Sequence, residues 1–348
     1  MTERALSRRA YLTGIGATAV AGVSGCVGGD GGDGGDSSGG GNSIDELTVA
    51  YMPIYPDLQY FVMDEEGYLD EVDATIDGRE FSDGPAIIRA FGSGDIDIAM
   101  FGIVPSMIVI DRGIPAKVTA ANIKEPMAIM AHEDFQSMWD DNGADAFEMW
   151  EQQNGQKMRF GTFPQGSVPD VLLRYWLSEK VGVEPTDVAD IIEINGANAV
   201  WQAIANGEID GSSIMEPVPT IASAEGASVT TFKTAAEVMP GQPAAVTLMT
   251  DEVRETDLAT QFLQQHVEAT EFIQNNPDQT AGIVEDRLGM AQDRALSALQ
   301  GPLSNFVTAP AEIENGTEIF SRFANQNDQI DEELSLDQIF DYSVYESL

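Results

Sequence analysis

Four short stretches place small polar side chains and glycine directly ahead of an apolar helical pattern. They are Phe81-Ser82-Asp83-Gly84, Phe101-Gly102, Phe163-Pro164-Gln165-Gly166-Ser167 and Asn195-Gly196. Pro85, Pro105 and Pro169 follow three of them. Proline suits a first helical turn, where no amide hydrogen is needed. The free amides of such a turn, with the positive end of the helix dipole, can hold an anion or a polar acceptor. Ser82, Asp83 and Ser167 serve equally well as N-caps. Tyr51 and Tyr55 stand at the end of the first apolar run, and Glu216 ends a later one. A carboxylate there can hold a ligand amine or accept hydrogen bonds from nearby backbone. No lysine or arginine lies on these loops, so an anion would meet amides and hydroxyls without an ion-pair clamp. The candidate ligand residues are Tyr51, Tyr55, Ser82, Asp83, Gly84, Phe101, Gly102, Gln165, Gly166, Ser167, Asn195 and Glu216.

Bond-breaking chemistry finds little to work with. Cys26 is the single cysteine, and the two histidines, His132 and His266, are far apart. His266 falls on a helical stripe with Leu258, Phe262, Ala269 and Ile273, a structural position. Zinc sites, Ser-His-Asp triads and Cys-His dyads are therefore not expected, and neither is a catalytic residue, a metal or a cofactor.

The elements that must position these loops follow from periodicity. From Leu47 onward, short apolar runs alternate with helical patterns, the signature of an α/β fold. "LTVAYM", "ATIDGREF", "IDIAMF", "AKVTAANI", "MAIMAHE", "KMRFGTF", "IIEI", "IDGSSIM" and "PAAVTLMT" read as strands. Residues 134–157 are more polar, and from Thr256 the chain reads as mostly helical. One motif occurs twice. "AFGSGDIDIAMFG" and "AIANGEIDGSSIM" share Ala-x-x-x-Gly-acid-Ile-Asp at an offset of 113 residues, and Glu80/Glu193 and Ala86/Ala199 keep that offset. Each copy reads as a helix stopped by a glycine, with the isoleucine starting a buried strand. Two copies in matching positions imply two lobes of similar build. Lobe 1 is expected over residues 46–130 and 245–348 and lobe 2 over 131–244, with hinge crossings near 128–132 and 244–249. Ligands of open α/β sheets sit outside the carboxyl ends of strands, so the four loops define a cleft shared by both lobes.

Fifty-eight acids face seventeen bases, five of them lysines, for a formal net charge of −41. The acids are spread over the whole chain. Such a surface repels nucleic acid and anionic membranes. It suits concentrated salt, as in a haloarchaeal protein, where screening lengths shrink to about 3 Å at 1 M. The N-terminus carries "SRRAYL", a weakly apolar stretch from Thr13 to Gly25, and "VSGC". It resembles a twin-arginine signal peptide over residues 1–26 with a lipobox at Cys26. The Gly/Asp/Ser-rich residues 27–45 read as a flexible tether. The expected product is an exported protein, lipid-anchored through Cys26 on the outer face of the cell membrane.

The ordered set "EFSDGPAIIRAFGSGDIDIAMFGIVPSMI", "GTFPQGSVPDVLLRYWLSEKVGVEPTDV", "ANGEIDGSSIMEP" and "ATQFLQQHVEATEFIQNNPDQTA" resembles the substrate-binding proteins of nitrate, sulfonate and taurine ABC importers, the NMT1/SsuA-like family. The resemblance spans about residues 46–290. It implies a type II periplasmic-binding-protein fold, two α/β lobes joined by a two-segment hinge. It places the ligand loops at Ser82–Gly84, Gly102, Gln165–Ser167 and Glu216. Met215 stands where the family often has an aromatic residue. The implied partners are a small-molecule solute and ABC permease and ATPase subunits, for a monomer that binds no nucleic acid. Two other readings use the same fold: a thiamine-pyrimidine precursor binder or synthase-like enzyme, and a ligand sensor without transport. The synthase chemistry uses a histidine-rich, cysteine-bearing iron site, for which this chain has only two dispersed histidines.

The acidity carries its own test. Stability should rise steeply from dilute to molar salt, because screening relieves the repulsion among the excess acids. A melting temperature that stays flat with salt removes the argument for a halophilic protein.

Overall fold

The computed structural model describes residues 44–348. The expected export signal, Cys26 and all but the last two residues of the tether lie outside the described residues.

Ten strands form two five-stranded sheets. They are β1 (Glu46–Tyr51), β2 (Thr75–Glu80), β3 (Ile98–Gly102), β4 (Ala116–Ala121), β5 (Met127–His132), β6 (Met158–Thr162), β7 (Ala189–Glu193), β8 (Gly211–Met215), β9 (Val229–Thr234) and β10 (Ala245–Thr250). The helices between them are α1 (Leu58–Glu65), α2 (Gly84–Ser93), α3 (Ile103–Asp111), α4 (Glu133–Asn142), α5 (Ala146–Asn154), α6 (Val168–Tyr175), α7 (Pro185–Val188), α8 (Ala197–Ala205) and α9 (Val218–Glu225). After β10 the chain is mostly helical, and its longest helix there runs Asp257–Asn275.

The first sheet has the order β2-β1-β3-β10-β4, the second β7-β6-β8-β5-β9. In each, the first three strands are parallel and the fourth runs antiparallel to both neighbours. The two orders superimpose if β1 is matched to β6, β2 to β7, β3 to β8, β10 to β5 and β4 to β9. The antiparallel strand is the one that crosses: β5 enters the second sheet from the first, and β10 returns. Met127–His132 therefore pairs wholly within the second sheet, and the crossings lie outside both strands rather than at 128–132 and 244–249. They run side by side. Lys124 bridges Pro243, the Glu125 amide donates to the Gln242 carbonyl at 2.7 Å, and the Gly241 amide donates to the Glu125 carboxylate at 2.5 Å. Glu125 holds a left-handed φ of 57°, a conformation uncommon for a side chain of this type. The contacts to Gly241 and Gln242 accompany that geometry.

The doubled motif has a use for its second aspartate. Gly94 and Gly207 both adopt left-handed φ, 76° and 69°. Ile96 and Ile209 are buried, but the strands begin two residues later than expected, at Ile98 and Gly211. The residue between is a clamp. Asp97 accepts the Thr48 amide at 2.7 Å and donates its own amide to the Thr48 carbonyl at 3.0 Å. Asp210 does the same to Arg159, at 3.0 Å and 2.8 Å. Each aspartate thus locks the start of a central strand to its parallel neighbour.

The polar segment 134–157 folds as α4 and α5, which bury Phe135, Phe147 and Trp150 under an acidic outer face. Strand β9 has no counterpart in the expected elements. It is an edge strand of sequence VTTFKT in which only Val229 is fully buried, so hydrophobic alternation hardly marks it. His266 is buried in the core, 3.2 Å from the Asn122 side-chain oxygen. Burial pushes its imidazole down to about 3, so the ring is neutral and structural.

Asp210→Ala should destabilise more than Asp97→Ala. Each loses a hydrogen bond to backbone, roughly 1–3 kcal/mol when a buried donor is left unpaired. Asp210 additionally receives the Arg159 guanidinium through two contacts of 2.7 and 2.9 Å. Denaturant melts of both variants at constant high salt decide it, and equal costs would show that the Arg159 fork contributes nothing.

Candidate functional site

The carboxyl ends of β1, β3, β6 and β8, together with the starts of α2, α3, α6 and α8, enclose a cavity of about 110 Å³. From the first sheet it is lined by Met52, Pro53, Ile54, Pro56, the α2 start from Ser82 to Pro85 with Ile88, then Gly102, Pro105 and Ile108. From the second come Phe163 to Pro169, Asn195, Gly196 and Met215, and Ala244 closes it beside the return crossing. No lysine, arginine or histidine lines it; Asp83 is the charged lining residue.

The two halves touch around this cavity. A Cβ added to Gly102 would stand 3.2 Å from the Val168 methyl and 3.1 Å from Pro105. Gly102 has an ordinary φ of −59°, so it is space, not backbone freedom, that calls for glycine. Farther out, Arg294 pairs with Glu225 at 2.8 Å, and the rings of Tyr175 and Phe323 meet edge to face at 5.5 Å.

The helix starts are capped in two different ways. At α2 the Asp83 carboxylate accepts the Ala86 amide at 2.8 Å and the Ser82 hydroxyl at 3.0 Å. Ahead of α6 the Gln165 amide donates to Glu193 at 3.1 Å and the Gly166 amide to Asp170 at 3.0 Å. Asp170 also takes the Arg174 guanidinium at 2.8 Å and donates its amide to the Ser167 hydroxyl at 3.4 Å. By contrast, α3 and α8 begin at Gly102 and Gly196 with no side-chain cap. The Ile103 amide at the α3 start donates to the Ala244 carbonyl across the cavity edge, at 3.0 Å.

Of the residues singled out in the sequence, Ser82, Asp83, Gly84, Gly102, Gln165, Gly166, Ser167 and Asn195 line this one cavity. Four others lie outside it. Tyr51 stacks on Tyr60 with ring centroids 3.9 Å apart and meets Phe61 edge-on, because its strand position faces the helical layer. Tyr55 is fully buried, its hydroxyl 2.7 Å from Ser304. Phe101 is also fully buried and stacks on Phe91. Glu216 turns inward to the start of α9, where its carboxylate accepts the Thr220 amide at 3.2 Å and hydroxyl at 3.0 Å. Accepting nearby hydrogen bonds is the second of the two roles the sequence leaves open to it. The missed lining is apolar: Ile54, Ile88, Ile108 and Ala244. Such residues look like core in any sequence, and only the neighbouring prolines hinted at them.

Glu216 carries a pH dependence. Burial lifts its carboxyl from an ordinary 4.5 to about 7, against the pull of the two Thr220 hydrogen bonds. Folding therefore favours the protonated form. The associated stability is fully present below the unfolded value and is lost as pH rises through about 7, a difference on the order of 3 kcal/mol. Glu216→Gln should match the wild type near pH 5 and exceed it in stability near pH 8. The wild-type-minus-variant difference, followed by chemical denaturation across that range, checks this; a difference that does not change with pH removes the claim.

Comparison with known proteins agrees with this geometry. The ligand-binding component of an ABC-type import system from Staphylococcus aureus superimposes with a TM-score of 0.68 at 20% identity, covering 87% of this chain and 98% of that one. The periplasmic aliphatic sulphonate binding protein SsuA of Escherichia coli gives 0.67 at 17% identity over 86% and 92%. The periplasmic nitrate-binding protein NrtA of Synechocystis PCC 6803 gives 0.70 at 14% over 87% and 88%. The fold is accordingly that of the periplasmic binding proteins, two α/β lobes, as the sequence resemblance implied. A curated binding protein of Brucella abortus (strain 2308) is 28% identical over 158 residues, 45% of this chain. That match spans 43% of the Brucella protein, less than half its length. The sequence model described as the NMT1-like family matches residues 41–285, well over half of the chain, and the protein belongs to that family.

Proposed function

We propose that the protein is the solute-binding component of an ABC importer. It captures a small organic or oxoanion solute, of the sulfonate, taurine or nitrate type, between its lobes and delivers it to a permease. The observation that carries this reading is the cavity itself: four helix starts, two from each sheet, converge on one small enclosed space. The neighbours named above, a ligand-binding component and binding proteins for aliphatic sulphonates and nitrate, support it. So does the 2-1-3-n-4 order of each sheet, with the site outside the strands' carboxyl ends.

In this reading residues 46–126 with 245–348 form one lobe and 127–244 the bulk of the other, and the paired crossings are the hinge. Solute that touches both lobes stabilises the closed form, and the permease recognises that form. The work is binding, not catalysis. Export by the twin-arginine route, a lipid on Cys26, a monomeric state and function in concentrated salt complete the proposal.

The test reads closure and affinity together. Mass spectrometry of solute co-purifying with the protein identifies the ligand. Ser82→Ala and Ser167→Ala should then each lose roughly 0.5–1.5 kcal/mol of binding in calorimetric titration, the range for a hydrogen bond to a neutral group. Gly102→Val should wedge the lobes apart: binding falls at least as far, and the solution radius of gyration with ligand stays at the unliganded value. Unchanged affinity in all three variants would falsify the assignment of this cavity as the solute site.

A further inference from the structure

The helix starts around the cavity differ in a way that bears on the charge of its occupant. A free helix start attracts an anion because its amides and dipole are unpaired. At the start of α2, and in the loop that leads into α6, amides are already taken by the protein's own carboxylates. Asp83 occupies the Ala86 amide, Glu193 the Gln165 amide and Asp170 the Gly166 amide. Only Asp170 is neutralised, by Arg174. Asp83 itself lines the cavity, and no basic side chain does. An anion entering here would meet the Asp83 carboxylate in the wall, with no cation there to offset it. The other polar side chains of the wall, Ser82, Gln165, Ser167 and Asn195, are neutral, and the rest is apolar: Ile88, Pro105 and Ile108 on one side, Phe163, Val168 and Met215 on the other. A small hydrated oxoanion would surrender its water to a largely apolar wall and gain only neutral donors in return.

We infer that the cleft takes a compact organic solute with an apolar body and no negative charge, one that offers N–H or O–H donors toward Asp83 and its own acceptor toward the uncapped starts of α3 and α8. This rests on the solute-binding reading and narrows it away from nitrate and simple sulfonates. Both uncapped starts follow glycines, Gly102 and Gly196, so no capping side chain stands over them, and at α3 the Ile103 amide is already given to the Ala244 carbonyl. Asp83 keeps lone pairs free after accepting from Ala86 and Ser82.

Three molecules of nearly one shape separate charge from fit: benzoate, benzamide and benzamidine. Titrate each, with nitrate and methanesulfonate alongside, into the wild-type protein and into Asp83→Asn and Glu193→Gln, all in molar salt. Benzamide or benzamidine should bind at least tenfold tighter than benzoate, and nitrate and methanesulfonate should not bind measurably. Asp83→Asn should narrow the gap between benzamide and benzoate several-fold by removing the charge while keeping the cap. Benzoate, nitrate or methanesulfonate binding as tightly as benzamide overturns the charge inference and leaves the solute-binding reading standing. Binding of none of the five overturns that reading, and the inference with it.

Discussion

Strand β10 lies between β3 and β4 and runs antiparallel to both. That single placement constrains most of the molecule. The first sheet is incomplete until the chain has left it, built the second sheet and come back. Its central ladder, five residue pairs against β3, therefore cannot form without the second sheet being looped out between. Strand β5 plays the mirrored part in the second sheet. Two long-range insertions into sheet interiors force two crossings, and the crossings pair with each other at Lys124 and Pro243. Between two sheets tied at one edge, the carboxyl ends of the parallel strands face a common space. The helices that follow those strands must start there.

The cleft inherits its electrostatics from this arrangement. Helix starts gather positive partial charge and unpaired amides, and four of them at one place would make a strong anion trap. The chain answers with a carboxylate at the start of α2 and with two more on the loop ahead of α6. Asp170 sits in the first turn of α6 and binds the loop of its own unit, whereas Glu193 reaches that loop from the end of the neighbouring strand β7. Asp83 is an N-cap in the ordinary sense. Capping stabilises each helix by an amount typical of such contacts, roughly 0.5–2 kcal/mol, and at the same time it removes binding capacity for an external anion. On the proposed reading, the stability of the scaffold and the selectivity of the site are two effects of the same hydrogen bonds.

Much of this was legible before any coordinates. Prolines just past a loop mark three of the helix starts by a rule with a local cause, so Ser82, Gly102 and Ser167 could be grouped, with the Asn195-Gly196 loop, into one cleft. The doubled Gly-acid-Ile-Asp revealed two similar lobes because a left-handed glycine must recur wherever that turn recurs. What stayed hidden depends on partners distant in sequence. Asp97 and Asp210 look like turn acids until Thr48 and Arg159 are beside them. Glu216 could face either way from the end of β8, and which way is settled by the local start of α9. Tyr51, Tyr55 and Phe101 are aromatic residues near a strand end, and whether such a residue meets ligand or core depends on strand parity and on neighbours such as Tyr60, Ser304 and Phe91. The crossings were expected within β5 and β10 because both strands are largely apolar, and such strands do not disclose which sheet owns them.

The acidic surface and the acidic cleft act over different distances, and salt separates them. In dilute solution 58 acids against 17 bases impose a potential that would repel any anion long before contact. At molar salt the screening length is about 3 Å, and that potential vanishes a layer of water away from the surface. Asp83, by contrast, lines the cavity wall itself. A solute seated against it lies within the screening length, with protein in place of the intervening electrolyte. High salt therefore abolishes discrimination by the surface while leaving discrimination by the cleft almost intact. In molar salt a surface this acidic leaves the charge of a solute in the cavity to be set by Asp83, the carboxylate that lines it.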